Sequence, residues 1–112
     1  MSSGLLEAGL SPEALGFHRA LASLQEELEA IDYYHQRMDA TADEPLKAIL
    51  IHNRNDEMEH AAMLLEWLRR NRPEFDVQLR KFLFTSGELT ALAKGLEPPP
   101  APGNGLGLGR LT

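Results

Sequence analysis

The sequence predicts an all-α fold, an antiparallel two-helix hairpin followed by a short C-terminal helix. Three observations carry this expectation. Between Gly16 and Pro45 the chain has neither Gly nor Pro, so one long helix can form without a break. Apolar residues recur there at helical spacing, as Leu21, Leu24, Leu28, Ile31 and Met38. The connection Thr41-Ala42-Asp43-Glu44-Pro45 is short, which makes its flanking helices antiparallel neighbours.

In chain order, Met1 to Leu10 shows no clear period and reads as a flexible leader. Ser11-Pro12-Glu13 starts the first helix, with Ser11 as cap, Pro12 in the first turn and Glu13 at the positive end of the dipole. That helix runs to about Ala40. Asp43 or Thr41 caps the second, which runs from about Pro45 to Arg70 and ends on the cationic pair Arg69-Arg70. Asn71-Arg72-Pro73 breaks it. A shorter helix then passes through Phe75, Leu79, Phe82 and Leu83, and Glu88 to Lys94 is weakly amphipathic. Pro98 to Pro102 cannot continue a helix and favours a stiff polyproline spacer. The division expected is a leader over 1–10, a helical domain over 11–96, and a linker with a terminal peptide over 97–112.

The totals narrow the function. A chain of 112 residues is one short domain, able to bury only a modest core alone. With 17 acidic and 11 basic residues, net −6, the surface favours cations over nucleic acid or an anionic membrane. There is no cysteine, which excludes disulfides, thiolate metal sites and cysteine nucleophiles. No basic-then-apolar leader and no apolar run of roughly 20 residues occurs, so a soluble, cytoplasmic protein is expected.

Chemistry concentrates on the second helix. Glu57 and His60 stand three apart and share a helix face with Ile49 or Leu50, Asn53, Leu64 and Trp67. An acid and an imidazole on an apolar face need a partner, and a metal ion satisfies both. Glu-x-x-His is also a common chance pattern, so alone it is weak. What strengthens it is Glu27, three residues after Leu24 and four before Ile31, at the edge of the first helix's apolar stripe. Glu26 and Glu29, in the acidic run Gln25 to Glu29, fit a solvated face better. Tyr34 lies on the side of Glu27 and reads first as an amphipathic core aromatic, second as a residue lining a metal site. His52, Asp56 and His60 form a rival stripe without a matching acid on the first helix. His18 and His35 read as surface or interface residues.

A bundle-core di-iron site takes one Glu from each of two helices and a Glu-x-x-His from each of two more. This chain offers one of each, half of the set. A second copy about a two-fold axis would complete a ferritin-like four-helix bundle and cover the apolar faces a hairpin leaves open. Carboxylates with imidazole and no thiolate suit iron, manganese or zinc. The glycine-rich tail, Gly103 to Thr112, has no strand before it and no helix after it, which excludes a dinucleotide fingerprint. Leu106, Leu108 and Leu111, spaced by Gly, read instead as a peptide that docks in a groove on another protein.

These residues resemble the encapsulated ferritins. The likeness is carried by Ser23 to Ala30, Asp32 and Tyr34, by His52 to Asn55 with Glu57 and Glu59-His60-Ala61, and by Leu65-Glu66-Trp67 and Phe82-Leu83-Phe84-Thr85. The resemblance implies a helical subunit that pairs into a four-helix unit, and dimers that assemble into an open ring, a decamer. It implies iron ligands at Glu27, Glu57 and His60, Tyr34 lining the di-iron centre, and an acidic access site at Glu26 and Glu29, open to calcium or another divalent ion. Tyr33 stands where that family usually has Trp. Leu106-Gly107-Leu108-Gly109-Arg110-Leu111 looks like the peptides that address cargo to encapsulin shells, with Leu108 in the Ile position. The implied function is a ferroxidase inside an encapsulin nanocompartment in the cytoplasm. The alternative is a non-enzymatic helical adaptor or metal-binding cargo protein. A rubrerythrin-like peroxidase is disfavoured by the absence of cysteine.

Overall fold

The computed structural model describes residues 6–96. The proline spacer and the leucine-glycine tail lie outside the described residues, as do Met1 to Leu5. The chain divides into two compact units, one ending at Asn71 and one beginning at Arg72.

The first unit is the expected hairpin of α1 (Pro12–Ala40) and α2 (Glu44–Asn71). Ser11 Oγ accepts the Ala14 N–H at 3.0 Å and so caps α1. Both candidates in the turn are used. Asp43 Oδ1 accepts the Leu46 N–H at 3.1 Å, as a cap does, while Thr41 Oγ1 accepts the Asp43 N–H at 3.2 Å and holds the turn. At the other end of α2, Glu66 accepts from Arg69 at 2.8 Å and from Arg70 at 2.7 Å. Those bonds hold the Glu66 carboxyl down at about 2. The cross-helix contacts run in opposite sense along the two helices. His35 meets Arg54 at 3.0 Å, Glu27 meets His60 at 3.4 Å, and Gly16 faces the Trp67 ring. This order makes the pair antiparallel.

Two helices share one seam, and the burial shows how narrow it is. Ala20 and Leu68 are the buried apolar residues of this unit among the described residues. Leu28, expected in the core stripe, is 53 % exposed, and Ile49 is 57 % exposed. Met63 and Trp67 stand open as well. The physical reason is that an apolar stripe wide enough for a bundle needs more than one neighbour to cover it.

The second unit holds α3 (Pro73–Phe82) and α4 (Leu89–Ala93). Helix α3 stops one residue before the expected Leu83, which serves as its C-cap. Glu88 caps α4 by accepting the Ala91 N–H at 2.9 Å. Lys81 Nζ donates to the Ala93 carbonyl at 3.1 Å and ties the two helices together over the buried Leu92. Among the described residues no helix is long and apolar enough to cross a membrane.

Candidate metal centre

Glu27 projects from the middle of α1, and Glu57 and His60 from the middle of α2. The antiparallel register brings the three to one level. One oxygen or ring-nitrogen atom from each lies within 4.8 Å of the others, and among the described residues no other group of three His, Asp or Glu side chains comes together so closely. His60 Nδ1 is 3.2 Å from Glu57 Oε1 and 3.4 Å from Glu27 Oε1.

The electrostatics are those of two acids forced together. Glu27 is raised above the ordinary carboxyl range, chiefly by its hydrogen bond to Glu57 and then by burial. Glu57 is lowered by the same bond. Of the two, Glu27 is therefore the harder to ionise and Glu57 the easier. At His60 partial burial works against the charged ring, but the bond to Glu57 and the charges of Glu27 and Glu57 outweigh it, and the net shift is upward. Glu27 Oε1 is buried and has no hydrogen-bond partner.

That orphaned oxygen is the test of whether a cation fits. A buried carboxyl oxygen without a well-aligned donor costs stability; His60 Nδ1 lies 3.4 Å from it, and a cation held between Glu27, Glu57 and His60 would relieve it. Oxygen and imidazole donors without sulfur suit a borderline divalent metal. The arrangement is also open on one side. The His60 side chain is 46 % exposed, and Glu57 and Glu27 are each 24 % exposed. The carboxylate and imidazole expected to be buried are only partly so in the single chain. The reason is the one that exposes Ile49, since nothing covers this face of the hairpin.

Other candidate residues are placed differently. Glu26 and Glu29 do not join the group of three. Glu29 Oε2 accepts from the Tyr33 hydroxyl at 3.0 Å, and this bond raises the Tyr33 hydroxyl above its usual range. Arg37 lies 5.8 Å from the ring centres of both Tyr33 and Tyr34, a cation spread over two aromatic faces. Tyr34 is half-buried. The rival stripe is only partly realised. His52 Nε2 pairs with Asp56 at 3.3 Å on the exposed surface, while His60 turns to Glu27 and Glu57. His35, expected at the surface or an interface, is exposed, and its Nδ1 accepts from Arg54 across the two helices, a partner the sequence did not indicate. Helical period alone gives no signal for such a cross-helix pair.

Known proteins share much of this sequence, and a solved structure shares the fold. The chain is 55 % identical over 83 residues to the encapsulated ferritin-like protein of Rhodospirillum rubrum, covering 74 % of this chain and 59 % of that one. It thus spans about three fifths of that relative's length. It is 59 % identical over 76 residues to the ferritin-like protein of Thermotoga maritima, covering 68 % and 67 % of the two chains. With the encapsulin nanocompartment cargo protein EncC of Myxococcus xanthus it shares 37 % over 89 residues, 70 % of this chain and 68 % of that one. The crystal structure of a Nitrosomonas europaea protein superposes with a TM-score of 0.74 at 54 % identity, covering 78 % of this chain and 98 % of the other. Residues 6–86 match the EncFtn-like family, and with these relatives the match shows that the chain belongs to the EncFtn-like family of ferritin-like proteins.

Proposed function

We propose that this chain is a ferroxidase subunit. Two copies complete a site for two Fe(II) ions, each copy giving Glu27, Glu57 and His60. The observation that carries the reading is the buried, unpartnered Oε1 of Glu27 beside Glu57 and His60, on a face that the hairpin leaves open. Half a ligand set on an uncovered face is what a site completed by a second copy requires.

Iron is the substrate here. Two Fe(II) ions give up one electron each, and O₂ with two protons becomes hydrogen peroxide, so that 2 Fe(II) + O₂ + 2 H⁺ yields 2 Fe(III) + H₂O₂. The residues hold the ions close and favour the higher charge. Carboxylates stabilise Fe(III) over Fe(II) because the attraction scales with ionic charge. Cation binding favours ionised carboxylates and a neutral imidazole, so such a site exchanges protons for metal.

The remaining assignments rest on family resemblance. Tyr34 would line the iron pair, and Glu26 and Glu29 would draw cations toward it, calcium among them, in a homodimer that builds a ring. Leu106 to Leu111 would dock on an encapsulin shell, where the Fe(III) product collects. Support for the shell comes from the names of the Rhodospirillum and Myxococcus relatives. The alternative, a helical adaptor, is favoured by one observation, the 3.2 Å contact in which His60 and Glu57 satisfy each other.

The deciding experiment is aerobic Fe(II) oxidation followed by absorbance, with the assembly state measured by mass. The intact protein is expected to oxidise iron well above the buffer rate. Glu27→Ala, Glu57→Ala and His60→Ala are expected to lose that excess while remaining helical. If the intact protein matches buffer, or the variants match the intact protein, the adaptor reading replaces this one.

A further inference from the structure

The seam between α1 and α2 is held differently along its length. Its buried apolar residues among those described, Ala20 and Leu68, both lie on the side of the metal group away from the turn. On the turn side, from Glu27 to Ala40 on α1 and from Glu44 to Glu57 on α2, no described residue is buried. A polar contact crosses the seam there instead. Arg54 Nη1 donates to His35 Nδ1 at 3.0 Å. The arginine is half-buried and clamped a second time, since its Nε and Nη2 both donate to Asn55 Oδ1, at 3.2 and 3.0 Å. A guanidinium fixed in this way presents its remaining donor in one direction. Arginine has donors only, so His35 Nδ1 is the acceptor and the ring is neutral, with its proton on Nε2.

The bridge sits where it can act on the metal group. His35 follows Glu27 by eight residues on α1, and Arg54 precedes His60 by six on α2, which places it roughly 9–12 Å from that level along the helices. The turn fixes where the two helices begin, not the angle at which they part. Yet the groups that have to meet stand on opposite sides of the seam, with Glu27 Oε1 3.4 Å from His60 Nδ1. A metal site tolerates errors of about 0.2 Å in its ligand distances, whereas a slide of one residue along a helix is about 1.5 Å. A stretch of seam with no buried side chain offers little resistance to such a slide. A directed bond across it does.

We propose that Arg54 and His35 are positioning residues: by bonding across the seam they hold Glu27 of α1 level with Glu57 and His60 of α2, and so set the affinity of that group for a divalent cation. The proposal rests on the reading of those three residues as metal ligands. It adds two residues that act on the group only through the helices carrying it, as outer partners of a metal site do when they fix the orientation of its ligands.

The full chain is titrated with zinc at pH 8 by calorimetry, beside His35→Ala, Arg54→Met, the variant with both changes, and His35→Gln. His35 is exposed, so its replacement leaves the fold intact, which circular dichroism checks. Each single loss is expected to weaken zinc binding about fivefold, within the range for residues that act on a site through the structure around it. The double variant is expected to lose no more than either single one, because both changes remove the same bond. His35→Gln, whose amide oxygen can still accept from Arg54, is expected to recover most of the affinity. Unchanged affinity in the single variants, losses that add in the double variant, or a His35→Gln chain as weak as His35→Ala overturns the proposal. An intact chain that binds no zinc refutes the metal reading itself, and the positioning is then judged without metal, from the ring-nitrogen NMR signals of His60 in chelator-treated protein. Those signals are expected to move in His35→Ala and to return in His35→Gln; signals that stay in place in His35→Ala overturn the bridge as a positioning contact.

Discussion

Glu27→Gln separates the two roles proposed for that side chain, holding a proton toward Glu57 and binding a cation. The amide is nearly the same shape and can donate permanently to Glu57, as the protonated acid does. In the metal-free chain the substitution is therefore stabilising at high pH. The sign follows from the raised position of Glu27. A carboxyl raised on folding contributes stability below its unfolded value near 4.5, and that contribution is lost as pH rises through the higher folded value. Glutamine never ionises, so it escapes the loss. Chelator-treated Glu27→Gln is expected to melt higher than the intact protein at pH 8, and the gap is expected to close toward pH 4. Metal binding goes the other way. The variant gives up one of the two carboxylates each chain supplies to the group of three. Removing mere outer partners of a ligand costs about 10- to 100-fold in affinity. Removing the ligand itself is expected to cost about 100-fold or more, roughly 3 kcal/mol. Zinc is a suitable probe because it is redox-silent, and titration calorimetry reads its affinity directly. Unchanged zinc affinity would refute Glu27 as a ligand, and a lower melting point at pH 8 would refute the proton held toward Glu57.

Zinc affinity of the intact protein is expected to fall as pH drops from 8 to 6, because the raised His60 takes up a proton in competition with the metal; calorimetry at three pH values reads this, and a flat profile counts against His60 as a ligand. Leu68→Ala empties the one position with no exposure among the described residues, and a loss of about 3 kcal/mol is expected by thermal or denaturant unfolding, the middle of the range for such truncations. Asp43→Ala removes the side chain that accepts the Leu46 N–H, with an expected cost of about 1 kcal/mol in the same assay. Glu66, held at about 2 by Arg69 and Arg70, contributes stability above its unfolded value near 4.5 that is lost as pH falls toward 2. Being 41 % exposed, it contributes only about 1 kcal/mol or less after solvent screening, so Glu66→Gln is expected to flatten the acid limb of the stability curve slightly and leave the neutral region almost unchanged.

Local chemistry wrote much of this fold where it could be read. Ser11 and Pro12 mark the start of α1 within a residue because a cap is a contact between positions three apart. The same holds for Asp43 at α2 and Pro73 at α3. Glu57 and His60 were legible as a pair for the same reason, since a helix fixes the separation of residues three apart wherever it lies. Glu27 was legible only as an acid at the edge of an apolar stripe. Its meeting with His60 needed the antiparallel register of α1 and α2, a distance across the seam that no period along either helix contains.

By itself the sequence determined the helices, the caps at Ser11 and Asp43, the antiparallel hairpin and the pairing of Glu57 with His60, because each depends on neighbours along the chain. Only the tertiary structure decided which side chains stay uncovered. Leu28, Ile49 and Trp67 carry the period of core residues yet face outward, since a hydrophobic period marks a face without saying what packs on it. The buried oxygen of Glu27 and the bridge from Arg54 to His35 belong to the same class. Each is set by how separate segments meet in space, and that meeting also leaves the metal face open.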